Sequence, residues 1–144
     1  MVFSTGVTTD PIKINAMLDW PPPTSTTELR GFLGLTGFYR HFICNYAAIA
    51  SLFTSLLHKD QSHWSTDAQL AFLHLNEAMK EAPVLVSTNF ALPFILETNM
   101  SGIAMGVVLQ QQSHPIAFFS KVFCPQLKSV STYIRELVAI TLAV

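Results

Sequence analysis

Charge is what this sequence has least of. Its 144 residues hold 8 Lys+Arg against 9 Asp+Glu, 12% charged in all, about half the usual share for a soluble domain. With a net charge of −1 no global positive field can draw in nucleic acid, so any such binding must rest on the local placement of a few cations. Cysteine is scarce too: Cys44 and Cys124 stand far apart, which argues against a disulfide framework and for reduced thiols in an intracellular protein. Met1 to Asp10 has neither a basic start nor an apolar stretch, so no secretory leader is read there. The closing apolar run, Leu137 to Val144, follows Arg135 and Glu136 and falls far short of the roughly 20 residues of a membrane span. An intracellular location, cytoplasmic or nuclear, with no membrane partner is expected.

What is abundant is core material. Half of the residues are hydrophobic and the mean hydropathy is +0.40, enough for one ordinary domain or two small ones and high for a free-standing one. The chain reads as a piece of something larger.

The first half reads as helical. Val2 to Val7 looks like the frayed end of a strand whose partners lie outside this sequence. Asp10-Pro11 then supplies an N-cap and a proline at the first helical position, with Ile12, Ile14, Met17 and Leu18 as the apolar residues, and Pro21-Pro22-Pro23 stops the helix. Ser25-x-x-Glu28 is a capping box leading into a helix from Leu29 to Ile43. That segment carries Gly31, Gly34 and Gly37 three apart, each costing about 1 kcal/mol relative to alanine inside a helix. Two readings stay open: close packing inside the chain, or a bare ridge where another backbone approaches. Ala47 to Leu57 forms the next helix, with Ile49, Leu52, Phe53, Leu56 and Leu57 on its buried side, and 59–62 is a loop. Trp64 stands in the hydrophobic-staple position before an N-cap at Ser65, and Ala68, Ala71, Phe72, Leu75, Ala78 and Met79 continue at helical spacing until Pro83. His41-x-x-Cys44 with His58 and His63 has the composition of a structural zinc site, but its spacing is irregular and no C-x-x-C accompanies it; packed or surface histidines are the plainer reading.

The second half reads as a meander. Phe94-Ile95-Leu96 suggests a strand buried on both faces, with Glu97, Thr98 and Asn99 gathered at its C-terminal end before Gly102. Ile103 to Leu109 and Pro115 to Val122 supply two more strands. In the helix that follows, Tyr133, Leu137, Ile140 and Val144 recur at the spacing of a buried face, with Glu136 among them. Glu136 either aims at the sheet near Asn99 or sits at the margin and pairs with Lys121 or Arg135.

Several of these stretches carry a resemblance. E-T-N-M-S-G at 97–102, H-P-I-A-F-F-S-K at 114–121 and S-T-Y-I-R-E-L at 131–137 resemble the RNase H domain of gypsy-type LTR retrotransposon reverse transcriptases, most closely the plant ones. L-R-G-F-L-G-L at 29–35 with Y-R-H-F-I at 39–43 resembles the helix that opens the thumb of retroviral-type reverse transcriptases. Trp64 and A-P-V-L at 82–85 fall in the family's order, so the resemblance covers essentially the whole chain. It implies an α+β fold: the end of a palm at 1–9, a small all-helical thumb or connection unit at 10–83, and at 84–144 the N-terminal half of an RNase H-like domain, a truncated three-stranded antiparallel sheet with one helix.

The intact family copies RNA into DNA and degrades the RNA strand of the hybrid. The polymerase aspartates belong to the palm upstream, and the family's later two RNase H acids lie beyond the first RNase H helix, in which this chain stops. By the match Glu136 is a retained catalytic acid, whereas Asn99 stands where the family has its first aspartate. Mg²⁺ is the cofactor implied for the intact family; Glu136 remains here as one weak ligand, so no stably held ion and no cleavage by this chain alone are expected. The resemblance also turns Gly31, Gly34 and Leu35 toward the minor groove of an RNA–DNA hybrid or DNA duplex, with Arg30 and Arg40 near phosphates. Other implied contacts are with the remainder of the polyprotein. Two rival expectations are a non-catalytic nucleic-acid-binding or protein-interaction module domesticated from such an element, and a zinc-dependent adaptor.

Overall fold

The computed structural model describes residues 2–3, 6–58 and 64–143. Ser4 and Thr5, the predicted loop at 59–62, His63 and Val144 lie outside the described residues. The chain opens with β1 (Val2–Phe3) and β2 (Gly6–Val7), an antiparallel pair. The expectation that this strand has no partner in the sequence is overturned, because β2 also pairs with β3 (Leu85–Val86), Gly6 opposite Val86 and Val7 opposite Leu85. Two-residue strands carry no alternation from which such a pairing can be read. The approach depends on Gly6, since a Cβ there would collide with the Leu85 carbonyl oxygen.

Between these strands lies the helical unit, and local capping chemistry sets where each helix starts. In α1 (Pro11–Leu18) the Asp10 carboxylate accepts from the Ile12 N–H at 3.0 Å. In α2 (Thr26–Phe38) the Ser25 hydroxyl oxygen accepts from the Glu28 N–H at 3.2 Å. The Glu28 carboxylate reaches one residue further back than a capping box predicts, accepting from the Thr24 N–H at 2.7 Å and the Thr24 hydroxyl at 2.9 Å. These two bonds hold its carboxyl below the ordinary carboxylate range. The helix expected to run to Ile43 ends at Phe38: the Tyr39 N–H turns back to the Thr36 carbonyl at 3.0 Å, and Arg40–Phe42 form a 3₁₀ turn. Asn45, with φ of 57°, reverses the chain into α3 (Tyr46–His58).

The Ser65 hydroxyl caps α4 (Thr66–Lys80) by accepting from the Ala68 N–H at 3.1 Å. Trp64 does more than an apolar staple requires: its indole donates to Gln69 Oε1 at 2.7 Å while its ring stacks on Phe53 at 6.1 Å. Phe32 is the centre of the core, fully buried with its ring 6.2 Å from Phe53 and 5.0 Å from Phe72, and Met17, Ile43, Leu75 and Met79 close around it. Leu52, expected on the buried side of α3, is exposed, and Ala50 is buried instead. A small residue there lets its neighbours close in.

The second layer is the antiparallel sheet β4 (Ile95–Met100), β5 (Ala104–Gln111) and β6 (His114–Val122), in that order. Gln112 and Ser113, both at left-handed φ (50° and 63°), make the two-residue turn between β5 and β6, the geometry that matches strand twist. The reading of Phe94 to Leu96 as buried on both faces is wrong here: β4 is an edge strand exposed from Ile95 to Asn99. The buried strand is β5, from Ala104 to Val107 and again at Gln111. The Gln111 amide clamps the preceding loop, accepting from the Asn89 N–H at 3.0 Å and donating to the Asn89 and Leu92 carbonyls at 2.8 and 3.1 Å.

After α5 (Pro125–Lys128) comes α6 (Thr132–Ala143). Its expected buried stripe is also overturned: Tyr133, Leu137 and Ile140 are 75, 57 and 49% exposed, whereas Ala139 is fully buried in a cluster with Met105, Val107 and Phe123. Two apolar arcs run along this helix, and the one with small residues lets the backbone come closest to the sheet. The helical unit docks on the sheet through the start of α3. There the Ala47 N–H donates to Ser120 Oγ at 2.8 Å, and the Asn45 side chain sits where a Cβ of Gly106 would be. Among the described residues no helix is long and apolar enough to cross a membrane.

Candidate nucleic-acid interface

The outer face of α2 presents Arg30, Gly31, Gly34 and Phe38, all exposed, with Leu35 half-buried beside them. A Cβ added at Gly31 or at Gly34 would meet nothing within 4 Å. Nothing inside the described chain packs against these two glycines, so internal packing does not offset their helix cost of roughly 1 kcal/mol each. Gly37 differs, since a Cβ there would stand in ordinary contact with the Tyr46 hydroxyl at 3.5 Å. Phe38, 74% exposed, extends the bare strip with a ring. Arg30 stands exposed on the strip and Arg40 just beyond it, in the 3₁₀ turn.

Arg40 belongs to a second feature that sequence reading missed. With His41 it faces Phe118, Phe119, Ser120 and Lys121 of β6 across a hollow of about 280 Å³. Residues so distant in sequence meet only because the helical unit docks on the sheet. Of the zinc candidates, His41, Cys44 and His58 are all exposed, and among the described residues no group of three or more His, Cys, Asp or Glu could hold a metal ion.

Asn99 and Glu136 are both exposed, and no hydrogen bond joins them. Asn99 stands opposite Gly106 in the β4–β5 register, and cross-strand partners share a face, so it lies on the face that Asn45 covers. The helix that carries Glu136 clusters with Met105 and Val107, the alternate residues of β5, on the other face. Nor does Glu136 make an ion pair with Lys121 or Arg135 among the described residues. Instead Arg135 is half-buried, its Nη2 donating to Thr132 Oγ1 at 3.3 Å, its Nε without a partner, and its Nη1 3.9 Å from where a Cβ of Gly102 would be. The charge that α6 brings to the turn after β4 is therefore positive. Mg²⁺ needs anionic oxygens; an amide at Asn99, two exposed carboxylates at Glu97 and Glu136, and a neighbouring guanidinium do not fit a pair of such ions.

With this geometry in place, the class of the protein follows from comparison. Residues 64–144, more than half of the chain, match the family model of the RNase H-like domain found in reverse transcriptase, and the chain belongs to that family. It is 39% identical to the retrovirus-related Pol polyprotein from transposon 297 of Drosophila melanogaster, over 99% of this chain and 14% of that protein. It is 31% identical to the Pol polyprotein from transposon gypsy of the same fly, over 99% of this chain and 15% of that protein. An uncharacterized mitochondrial protein of Arabidopsis thaliana is 47% identical over 66% of this chain and 60% of its own length. The chain thus spans about a seventh of the length of these two transposon polyproteins. In fold it is similar to the foamy viral protease-reverse transcriptase solved in complex with RNA/DNA hybrid, with a TM-score of 0.88, 21% identity, and coverage of 99% of this chain and 20% of that one. The chain is therefore a segment similar to retrotransposon Pol polyproteins, with a reverse-transcriptase RNase H-like region.

Proposed function

We propose that this chain holds a nucleic-acid duplex without cutting it. In this reading residues 10–83 are the thumb or connection unit, residues 84–144 belong to the RNase H-like domain, and residues 1–9 are the end of the palm. The bare Gly31/Gly34 strip carries the proposal, because a helix that gives up side chains on its outer face leaves room for another backbone to approach. Gly31, Gly34 and Leu35 face the minor groove, and Arg30 and Arg40 lie along phosphates. The fold is shared with a reverse transcriptase solved in complex with RNA/DNA hybrid, which supports a duplex as the ligand.

With two cations at the strip, affinity is weak and sequence-independent, and its logarithm falls with log salt at a slope of about −2. Cleavage is absent, because Asn99 brings no negative charge where the family's aspartate would bring one, Glu136 stands apart from it, and Arg135 repels a dication. Restoring the acid in Asn99→Asp leaves the other two obstacles in place and does not create a nuclease. The test is fluorescence anisotropy with labelled RNA–DNA hybrid, DNA duplex and single strands over a salt series. Preference for either duplex, weakened in Gly34→Leu, is the expected result. Equal binding of single strands, or unchanged duplex binding in Gly34→Leu, refutes the assignment of the strip.

A further inference from the structure

We propose that the hollow between the 3₁₀ turn and β6 is a separate binding site for a single nucleotide, its phosphate against Arg40, His41 and Lys121 and its base against Phe119. Only eight Lys and Arg serve the whole chain, yet Arg40 and Lys121 line this one hollow together with an imidazole, and no carboxylate lines it. Ser120 lines it too, its oxygen accepting from the Ala47 N–H at 2.8 Å. An anion is the ligand these groups suit.

The neighbouring space says what else the ligand carries. A second hollow of about 290 Å³ shares His41, Phe118 and Phe119 with the first and continues over Leu96, Leu109 and Leu142, a lining without a further charge. Phe119, 43% exposed, lines both. One cationic compartment and one apolar compartment, with an exposed aromatic residue lining both, fit a phosphate attached to a base, since every base has a face that stacks on a ring. Neither an inorganic anion nor an apolar molecule would use both.

The nucleotide is either free or one unpaired residue of a strand, and the experiment separates these sources. Adenosine monophosphate, adenosine, inorganic phosphate and a single-stranded oligoadenylate are titrated into the full chain, with the His41 ring followed by NMR. The monophosphate is expected to shift the His41 resonances and to bind at least tenfold more tightly than adenosine or phosphate. Lys121→Ala should weaken it fivefold or more. Phe119→Ala should weaken the monophosphate but not phosphate, and Lys128→Ala, an equal change of charge elsewhere, should do neither. Oligoadenylate binding at least tenfold tighter than the monophosphate, with the same response to the variants, assigns the site to a strand; equal affinities assign it to free nucleotide. The proposal falls if adenosine binds as well as its monophosphate, if no ligand moves His41, or if Lys121→Ala changes nothing. Arg40 is the one residue this site shares with the α2 strip, and because these readouts use no duplex and vary neither Arg40 nor the strip, failure here is distinguishable from failure of the duplex reading.

Discussion

Filling the glycine strip should make the protein more stable and a poorer binder at once. Each of Gly31 and Gly34 costs about 1 kcal/mol against alanine in a helix interior, and an added methyl at either meets nothing within 4 Å. No clash or repacking opposes the gain, so the double variant Gly31→Ala/Gly34→Ala should be stabilised by about 2 kcal/mol, the sum of the two helix-propensity gains. For a chain of this size that raises Tm by roughly 6–8 °C. The same methyls stand where a duplex backbone would approach, so duplex affinity should fall although the fold is firmer, the pattern expected when a site is kept at the expense of stability. Thermal melts followed by far-UV circular dichroism, run beside anisotropy titrations of the same samples, give both numbers. Lower stability in the double variant would show that the glycines serve packing. Raised stability with unchanged affinity would show that they serve neither packing nor the duplex.

Other outcomes follow from the core, the caps and the sheet edge. Phe32→Ala removes the ring around which Phe53 and Phe72 pack and should cost about 3–5 kcal/mol, a large share of any domain's stability, seen as loss of the cooperative urea transition. Glu28 has a folded pKa below its ordinary value of 4.5, so its contribution is present above that value and is lost as pH falls through the lower folded pKa. The difference in urea midpoint between pH 6 and pH 3 should therefore shrink in Glu28→Gln. β4 presents an unpaired edge with Ile95 and Leu96 exposed, a template for strand addition; the chain should self-associate at micromolar concentration, and Ile95→Lys should shift light scattering toward monomer.

What could be read from the sequence was local. Asp10, Ser25 and Ser65 announce helix starts because a cap acts within three residues, and the three strands of the meander announce themselves by composition and turns. Burial was harder to read because it depends on what comes to lie against a segment. β4 is apolar enough for a sheet centre but stands at an edge, and α6 carries both a leucine and isoleucine arc and an alanine arc, of which the second faces the sheet. The pairing of Gly6 with Val86 joins two-residue strands too short for any pattern. At the candidate interface the glycine spacing was visible as an unexplained cost, and the empty space around Gly31 and Gly34 shows that no contact within the described residues accounts for it. Arg40 and Lys121 gave no sign of belonging together. The role of Arg135 was hidden as well, because which of two adjacent charged residues turns toward the β4–β5 turn depends on how α6 is rotated.

The central claim, a duplex held but not cut, meets its most direct test in a native gel of end-labelled RNA–DNA hybrid incubated with the chain in Mg²⁺, with Asn99→Asp and Glu136→Gln alongside. Retarded hybrid with its RNA strand intact in all three lanes is the predicted result. Cleavage by the wild-type chain that disappears in Glu136→Gln would contradict it.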